Sequence, residues 1–171
     1  MMDPKVLILM GSDSDWEVMS EAKKALDDLG VPAEVHVSSA HRTPERTGKL
    51  AREAAGRGVQ VIVCGAGAAA HLAGVCAAET ELPVLGVPLA ASDLKGLDAL
   101  LATAQMPAGV PVGTLAIGKA GARNAGLLAA RIVARTDAQV AERVRVQRRK
   151  MAEEVEAKDA ALQAKLAAPK G

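Results

Sequence analysis

The sequence predicts an α/β domain built on a doubly wound parallel sheet, and three observations predict it. Short apolar, β-rich runs occupy residues 5–10, 33–37, 60–64, 83–87 and 111–117. The segments between them have helical character and are long enough for the crossovers that parallel strands require. Half of the residues are apolar, yet Phe and Tyr are absent and Trp16 is the only aromatic. The core must therefore be assembled from Val, Leu, Ile, Ala and Met, which suits helices packed closely on a sheet.

The elements follow in order from these runs. The first, second and third strands end in small or polar residues that are expected to open the next helix: Gly11-Ser12-Asp13-Ser14-Asp15, Ser38-Ser39-Ala40-His41-Arg42-Thr43-Pro44 and Gly65-Ala66-Gly67. Ligands of such sheets sit outside the strand carboxyl ends, near the point where strand order reverses, so the informative residues should converge there. Residues 1–135 form the α/β unit. From Thr136 the composition becomes charged, with Val140, Val144, Met151, Val155, Leu162 and Leu166 on one narrow helical stripe. Residues 136–171 are thus a tail helix with one apolar face, for its own domain or for a neighbouring subunit, and 167–171 are expected to fray.

Composition removes several function classes. A chain of 171 residues fits one domain that buries about two-thirds of its unfolded surface, so no disulfide or metal staple is required. Lys plus Arg number 21 against 20 Asp plus Glu, which leaves no broad field for nucleic acid or an anionic membrane. Cys64 and Cys76 match neither a CxxC motif nor a zinc-ligand spacing and read as buried, reduced thiols. The opening apolar run is too short for a signal peptide, and no stretch is long and apolar enough for a membrane span. A soluble, cytoplasmic protein is expected.

The first loop offers N–H groups and the Ser12 and Ser14 hydroxyls to a phosphate, although helix capping by Ser or Asp, taken alone, accounts for it slightly better. Asp13 and Asp15 repel a phosphate, so Asp15 is assigned to ribose hydroxyls instead. In the second loop, Thr43-Pro44 is a helix start, with Thr as N-cap and Pro at the first helical position. His41 and Arg42 then lie just before the helix. Histidine titrates near neutral pH and suits acid/base work, and Arg42 offers a fork for phosphate oxygens. His36, inside a Val-His-Val alternation, reads as an ordinary strand residue.

Two motifs mislead. Residues 65–70 satisfy a relaxed G-x-G-x-x-A dinucleotide pattern, but they follow the third strand and no acidic residue ends the next one. Their glycines are read as letting backbone approach a ligand, with His71 a few residues into the following helix. Gly113–Lys119 imitates a phosphate loop, but Ala120 stands where a Ser or Thr should hold magnesium.

Five blocks carry a resemblance: MGSDSDW at 10–16, SSAHRTPE at 38–45, GAGAAAHLAG at 65–74, PVLGVP at 83–88 and QMPAGVPVGTLAIGKAGARNAGLLAA at 105–130. Together they resemble the N5-carboxyaminoimidazole ribonucleotide mutases, the PurE-type enzymes of de novo purine synthesis, from Val6 to about Arg135. Ala73 departs from the Pro of many members. The resemblance implies a three-layer α/β/α sandwich with a flavodoxin-like sheet, assembled as a homo-octamer. It implies that Ser12, Ser14, Asp15, Ser39 and Arg42 bind the ribose phosphate, that His41 is the general acid/base, and that Gly67, His71 and Leu72 line the base and carboxylate pocket. A carboxylate would move from nitrogen to carbon through transient CO2, without metal, ATP, biotin or other cofactor. Alternatives are a relative that carboxylates aminoimidazole ribonucleotide with free CO2, a PurE-like carboxylase of nickel-cofactor synthesis, and a nucleotide- or flavin-binding module without chemistry.

Overall fold

The computed structural model describes residues 3–167. Five parallel strands, β1 (Val6–Met10), β2 (Ala33–Val37), β3 (Val61–Gly67), β4 (Val84–Leu89) and β5 (Gly113–Thr114), form one sheet in the order β2-β1-β3-β4-β5. The connections carry α1 (Trp16–Asp28), α2 (Pro44–Ala54), α3 (Leu72–Glu79) and α4 (Leu97–Ala104), and α5 (Gly118–Val133) and α6 (Ala138–Ala167) follow β5. This is the flavodoxin-like three-layer arrangement. Strand order reverses between β1 and β3, so the crevice for a ligand opens there.

Alternation along each strand divides the core. Val6, Ile8 and Met10 of β1 face α1 and α5, together with Val61, Val63, Leu85 and Val87. Leu7 and Leu9 face the other way with Ile62, Cys64 and Val84, against Ala51 and Ala54 of α2 and Leu72, Ala73 and Cys76 of α3. With β1 wholly buried, its unbroken VLILM run needs no polar face. Small residues let the helices come close: a side chain at Gly126 of α5 would overlap the Ala22 carbonyl of α1, and one at Gly121 would overlap the Ala116 carbonyl. Gly121 and Gly126, after the false phosphate loop, thus serve packing, while Gly118 takes φ +76° where α5 begins. Lys119 meets Glu17 at 2.8 Å.

Two strand expectations change. β3 continues past Cys64 through Gly65-Ala66-Gly67, pairing as far as Gly67 with Leu89, so these residues finish a strand and open no helix. β5 shrinks to Gly113–Thr114, joined only to Leu85 and Gly86. Both cysteines are free and buried, and a hydrogen bond to Cys76 together with burial holds the Cys64 thiol well above its usual range.

The first turns of α6 pack on the chain's own core, with Val140 buried and Val144 against it. Farther out, Met151, Val155, Leu162 and Leu166 are exposed. Fraying at 167–171 was expected; Ala167 ends α6, and 168–171 lie outside the described residues.

Candidate active site

The loops after β1, β2 and β3 meet at the switch point around a cavity of about 420 Å³. It is lined by Gly11, Ser12, Ser14 and Asp15 from the first loop, Ser39, Ala40, His41 and Arg42 from the second, and Ala66 to Ala69 with Leu72 from the third. Its size suits a small nucleotide. Ala91, after β4, completes the wall.

The first loop does not keep its N–H groups free. Residues Asp13–Asp15 form a 3-10 turn capped by Ser12. The Ser12 N–H donates to Asp15 Oδ2 at 3.0 Å, and the Ser14 N–H donates to Asp13 Oδ1 at 3.0 Å. With the Ser14 N–H also 3.4 Å from the Ser12 hydroxyl, Ser12 and Asp15 form a capping box, so the capping role is realised, and the Ser12 hydroxyl is itself tied to Asp13 Oδ1 at 3.1 Å. The Ser12 and Ser14 hydroxyls are hydrogen-bonded to each other at 2.9 Å. Burial raises the Asp15 pKa, against the Ser12 and Gly11 N–H groups and Arg42, which lower it. Trp16 is exposed and does not line the cavity.

The second loop winds around Ser39. Thr43 is the N-cap of α2 with Pro44 at the helix start, but its hydroxyl makes no bond into the helix. Instead it accepts the Ser39 N–H at 3.1 Å and donates to the Ser39 carbonyl at 3.0 Å. Below, Ser38 and Thr47 share a buried hydrogen bond of 2.8 Å. This bracing leaves His41 and Arg42 projecting from a fixed turn. Arg42 donates to the Gly11 carbonyl at 2.8 Å, which holds a positive charge between the first two loops. His41 Nε2 lies 2.9 Å from His71 Nδ1.

The third loop departs from expectation. A side chain at Gly65 would overlap Met19, and one at Gly67 would overlap Ala91. Gly65 is therefore small for the core, and only Gly67 borders the cavity. Ala68 takes φ +50°, a left-handed conformation that is uncommon without glycine. His71 is the N-cap of α3, not a residue within the helix. Of the residues assigned from sequence, Ser12, Ser14, Asp15, Ser39, His41, Arg42, Gly67 and Leu72 share the cavity wall; His71 does not and meets it through His41. Ala40, Ala66, Ala68, Ala69 and Ala91 were not assigned from sequence, since alanine carries no chemical signature.

Among the described residues no group of His, Cys, Asp and Glu side chains is placed to hold a metal ion, and no helix is long and apolar enough to cross a membrane. The site offers one cation, two hydroxyl-bearing loops and a pair of imidazoles, which suits an anionic ligand and proton transfer.

The chain is 54% identical over 160 residues to the N5-carboxyaminoimidazole ribonucleotide mutase of Mycobacterium tuberculosis, covering 94% of this chain and 91% of that one. It is 60% identical over 132 residues to the enzyme of the same name from Pseudomonas aeruginosa, covering 77% and 81%. The crystal structure of Treponema denticola PurE superposes with a TM-score of 0.84 at 26% identity, covering 93% of this chain and 98% of that one. The family model for AIR carboxylase matches residues 5–154, across all five strands and all three loops of the cavity. This chain belongs to the AIR carboxylase family.

Proposed function

We propose that the protein is an N5-carboxyaminoimidazole ribonucleotide mutase of de novo purine synthesis, with His41 as general acid/base. The observation that carries this reading is the convergence of His41 and Arg42 with Ser12, Ser14, Asp15 and Ser39 on one cavity, in a chain with close relatives of that name. Arg42 and the serine hydroxyls bind the ribose phosphate and Asp15 accepts from the ribose. Gly67 and Leu72 flank the base, and His71 meets the site through His41.

Protonated His41 gives its proton to the exocyclic nitrogen of the substrate. The bond from that nitrogen to the carboxylate breaks, its electron pair stays on nitrogen, and CO2 leaves. Ring carbon 4 of the resulting enamine attacks the retained CO2, which the cavity keeps at high effective concentration. Neutral His41 then removes the proton from carbon 4. One proton is lent and recovered, so no metal, ATP or cofactor enters the balance. Incubation with N5-carboxyaminoimidazole ribonucleotide should give the 4-carboxy isomer without additives. Product only from aminoimidazole ribonucleotide plus bicarbonate would replace the mutase with a CO2-dependent carboxylase.

The same reading puts the enzyme in the cytoplasm and in a homo-octamer. Support for assembly comes from α6, where Met151, Val155, Leu162 and Leu166 are 53–70% exposed on one stripe. Removing residues 151–171 keeps Val140 and Val144 in their core and should lower the particle mass in light scattering. An unchanged mass would leave the stripe without a role in assembly.

A further inference from the structure

We propose that His71 is a positioning residue that fixes the tautomer of His41, so that the proton His41 lends and recovers is carried on Nδ1. This rests on the reading of His41 as the acid/base. The contact is His41 Nε2 to His71 Nδ1 at 2.9 Å, with the rings nearly perpendicular at 85° and their centroids 5.0 Å apart. Only one hydrogen fits between two ring nitrogens at that distance. Either His41 donates from Nε2 or His71 donates from Nδ1.

The chemistry selects the first. A general acid/base alternates between neutral imidazole and imidazolium. If His71 donated, His41 would present its lone pair at Nε2, and protonation there would place two N–H groups face to face and break the contact. If His41 donates, Nε2 keeps its proton in both states, and protonation at Nδ1 turns the contact into a stronger, charge-assisted bond. Each neutral ring then carries hydrogen on Nε2, the intrinsically preferred tautomer of imidazole side chains. A partner on one ring nitrogen thereby designates the other as the working one.

His71 is built to be the fixed member. Its own N–H donates to the Ala69 carbonyl at 2.8 Å, and its carbonyl accepts the Val75 N–H at 2.9 Å, opening α3. The preceding turn is held by the Ala70 N–H on the Ala68 carbonyl at 2.8 Å, with Ala68 in its left-handed conformation. His71 also lies outside the cavity wall while His41 lies on it, as expected of a group that acts through its neighbour.

The chain has three histidines, so protein labelled with 15N at histidine gives a spectrum simple enough to read each ring nitrogen. The expected result is His41 with hydrogen on Nε2 in both protonation states, and His71 Nδ1 as an unprotonated acceptor. A neutral His41 with hydrogen on Nδ1 would overturn the assignment, and this measurement needs no substrate. In the assay, His71→Asn places an amide near the position of Nδ1 and should keep kcat within a few-fold of the parent. His71→Gln, whose amide sits nearer the position of Nε2, and His71→Ala should lose about tenfold to a hundredfold in kcat, the usual penalty for a displaced catalytic group, with KM little changed. Equal loss in the Asn and Gln variants, or loss confined to KM, would make His71 a substrate contact and overturn the positioning role. A parent enzyme without turnover would refute the mutase reading and leave the nitrogen assignment to be decided by the spectrum.

Discussion

The first two loops of the cavity handle their polar groups in opposite ways. Ser12, Asp13 and Asp15 close on the N–H groups of their own turn, whereas Arg42 and His41 reach across to Gly11 and His71 on other loops. A self-satisfied loop holds its shape without help and presents hydroxyls from a rigid base. A loop whose side chains are tied elsewhere contributes charge and proton transfer, and its anchors lie in the backbone around Ser39 and beneath it at Ser38 and Thr47. The contrast teaches that changes in the second loop should alter chemistry and leave the fold intact, while changes in the first should register partly in stability.

The largest expected effect is at His41. His41→Asn should fold normally, because the side chain is exposed and its backbone stays braced by Thr43. Its kcat should fall by about 100- to 10,000-fold, the usual worth of general acid/base assistance, with affinity largely kept. Retention of more than about a tenth of kcat, well inside that usual loss, would put the acid/base elsewhere, with His71 the next candidate. Arg42→Ala comes second. A hydrogen bond to a charged group is worth about 1.5–3 kcal/mol, so KM should rise by roughly ten- to a hundredfold with a smaller change in kcat, since a phosphate anchor acts in ground and transition states alike. A fall confined to kcat would move Arg42 from the phosphate to the reacting atoms.

How much of this was legible in sequence follows from what each residue announces. Polar residues placed directly after apolar runs, Ser12, Asp15, Ser39, His41 and Arg42, stand out because a buried parallel strand has no use for them. All five strands were legible because short aliphatic runs between turn residues are too apolar for a surface loop and too brief for a buried helix. The extension of β3 was not, because Gly65 and Gly67 are poor strand formers on their own; they are admitted by Met19 and Ala91, which sequence alone does not bring near. β5 was overestimated because its apolar pattern resembles that of a full strand, while only two of its residues find partners on β4. The His41 to His71 contact spans 30 residues of chain, and no local signal could reveal it. The apolar stripe of α6 is one face by periodicity, yet the fold divides it: Val140 is buried in the core with Val144 packed against it, and Met151, Val155, Leu162 and Leu166 lie exposed.

The smallest expected effect tests whether the first loop is shaped for itself or for its ligand. The Asp15 carboxylate is half-buried, and that burial raises its pKa despite the N–H groups of Ser12 and Gly11 and the charge of Arg42. A carboxyl whose folded pKa lies above its unfolded value binds protons more tightly in the fold. Its ionised form therefore weakens the folded state. That penalty is fully present above the folded pKa, shrinks as pH falls through it and is gone below the ordinary carboxylate value. Asp15→Asn keeps an oxygen for the Ser12 N–H and removes the charge. At neutral pH the variant should be as stable as the parent or slightly more so, within the roughly 0.5 kcal/mol usual for surface changes. The advantage should vanish as the acid range is entered, while KM rises at neutral pH through loss of the ribose acceptor. Urea midpoints of both proteins at neutral and acid pH measure this directly. A variant less stable than the parent at neutral pH, with the deficit closing on acidification, would show that the ionised capping box outweighs burial, and that the charge of Asp15 serves the loop before it serves any ligand.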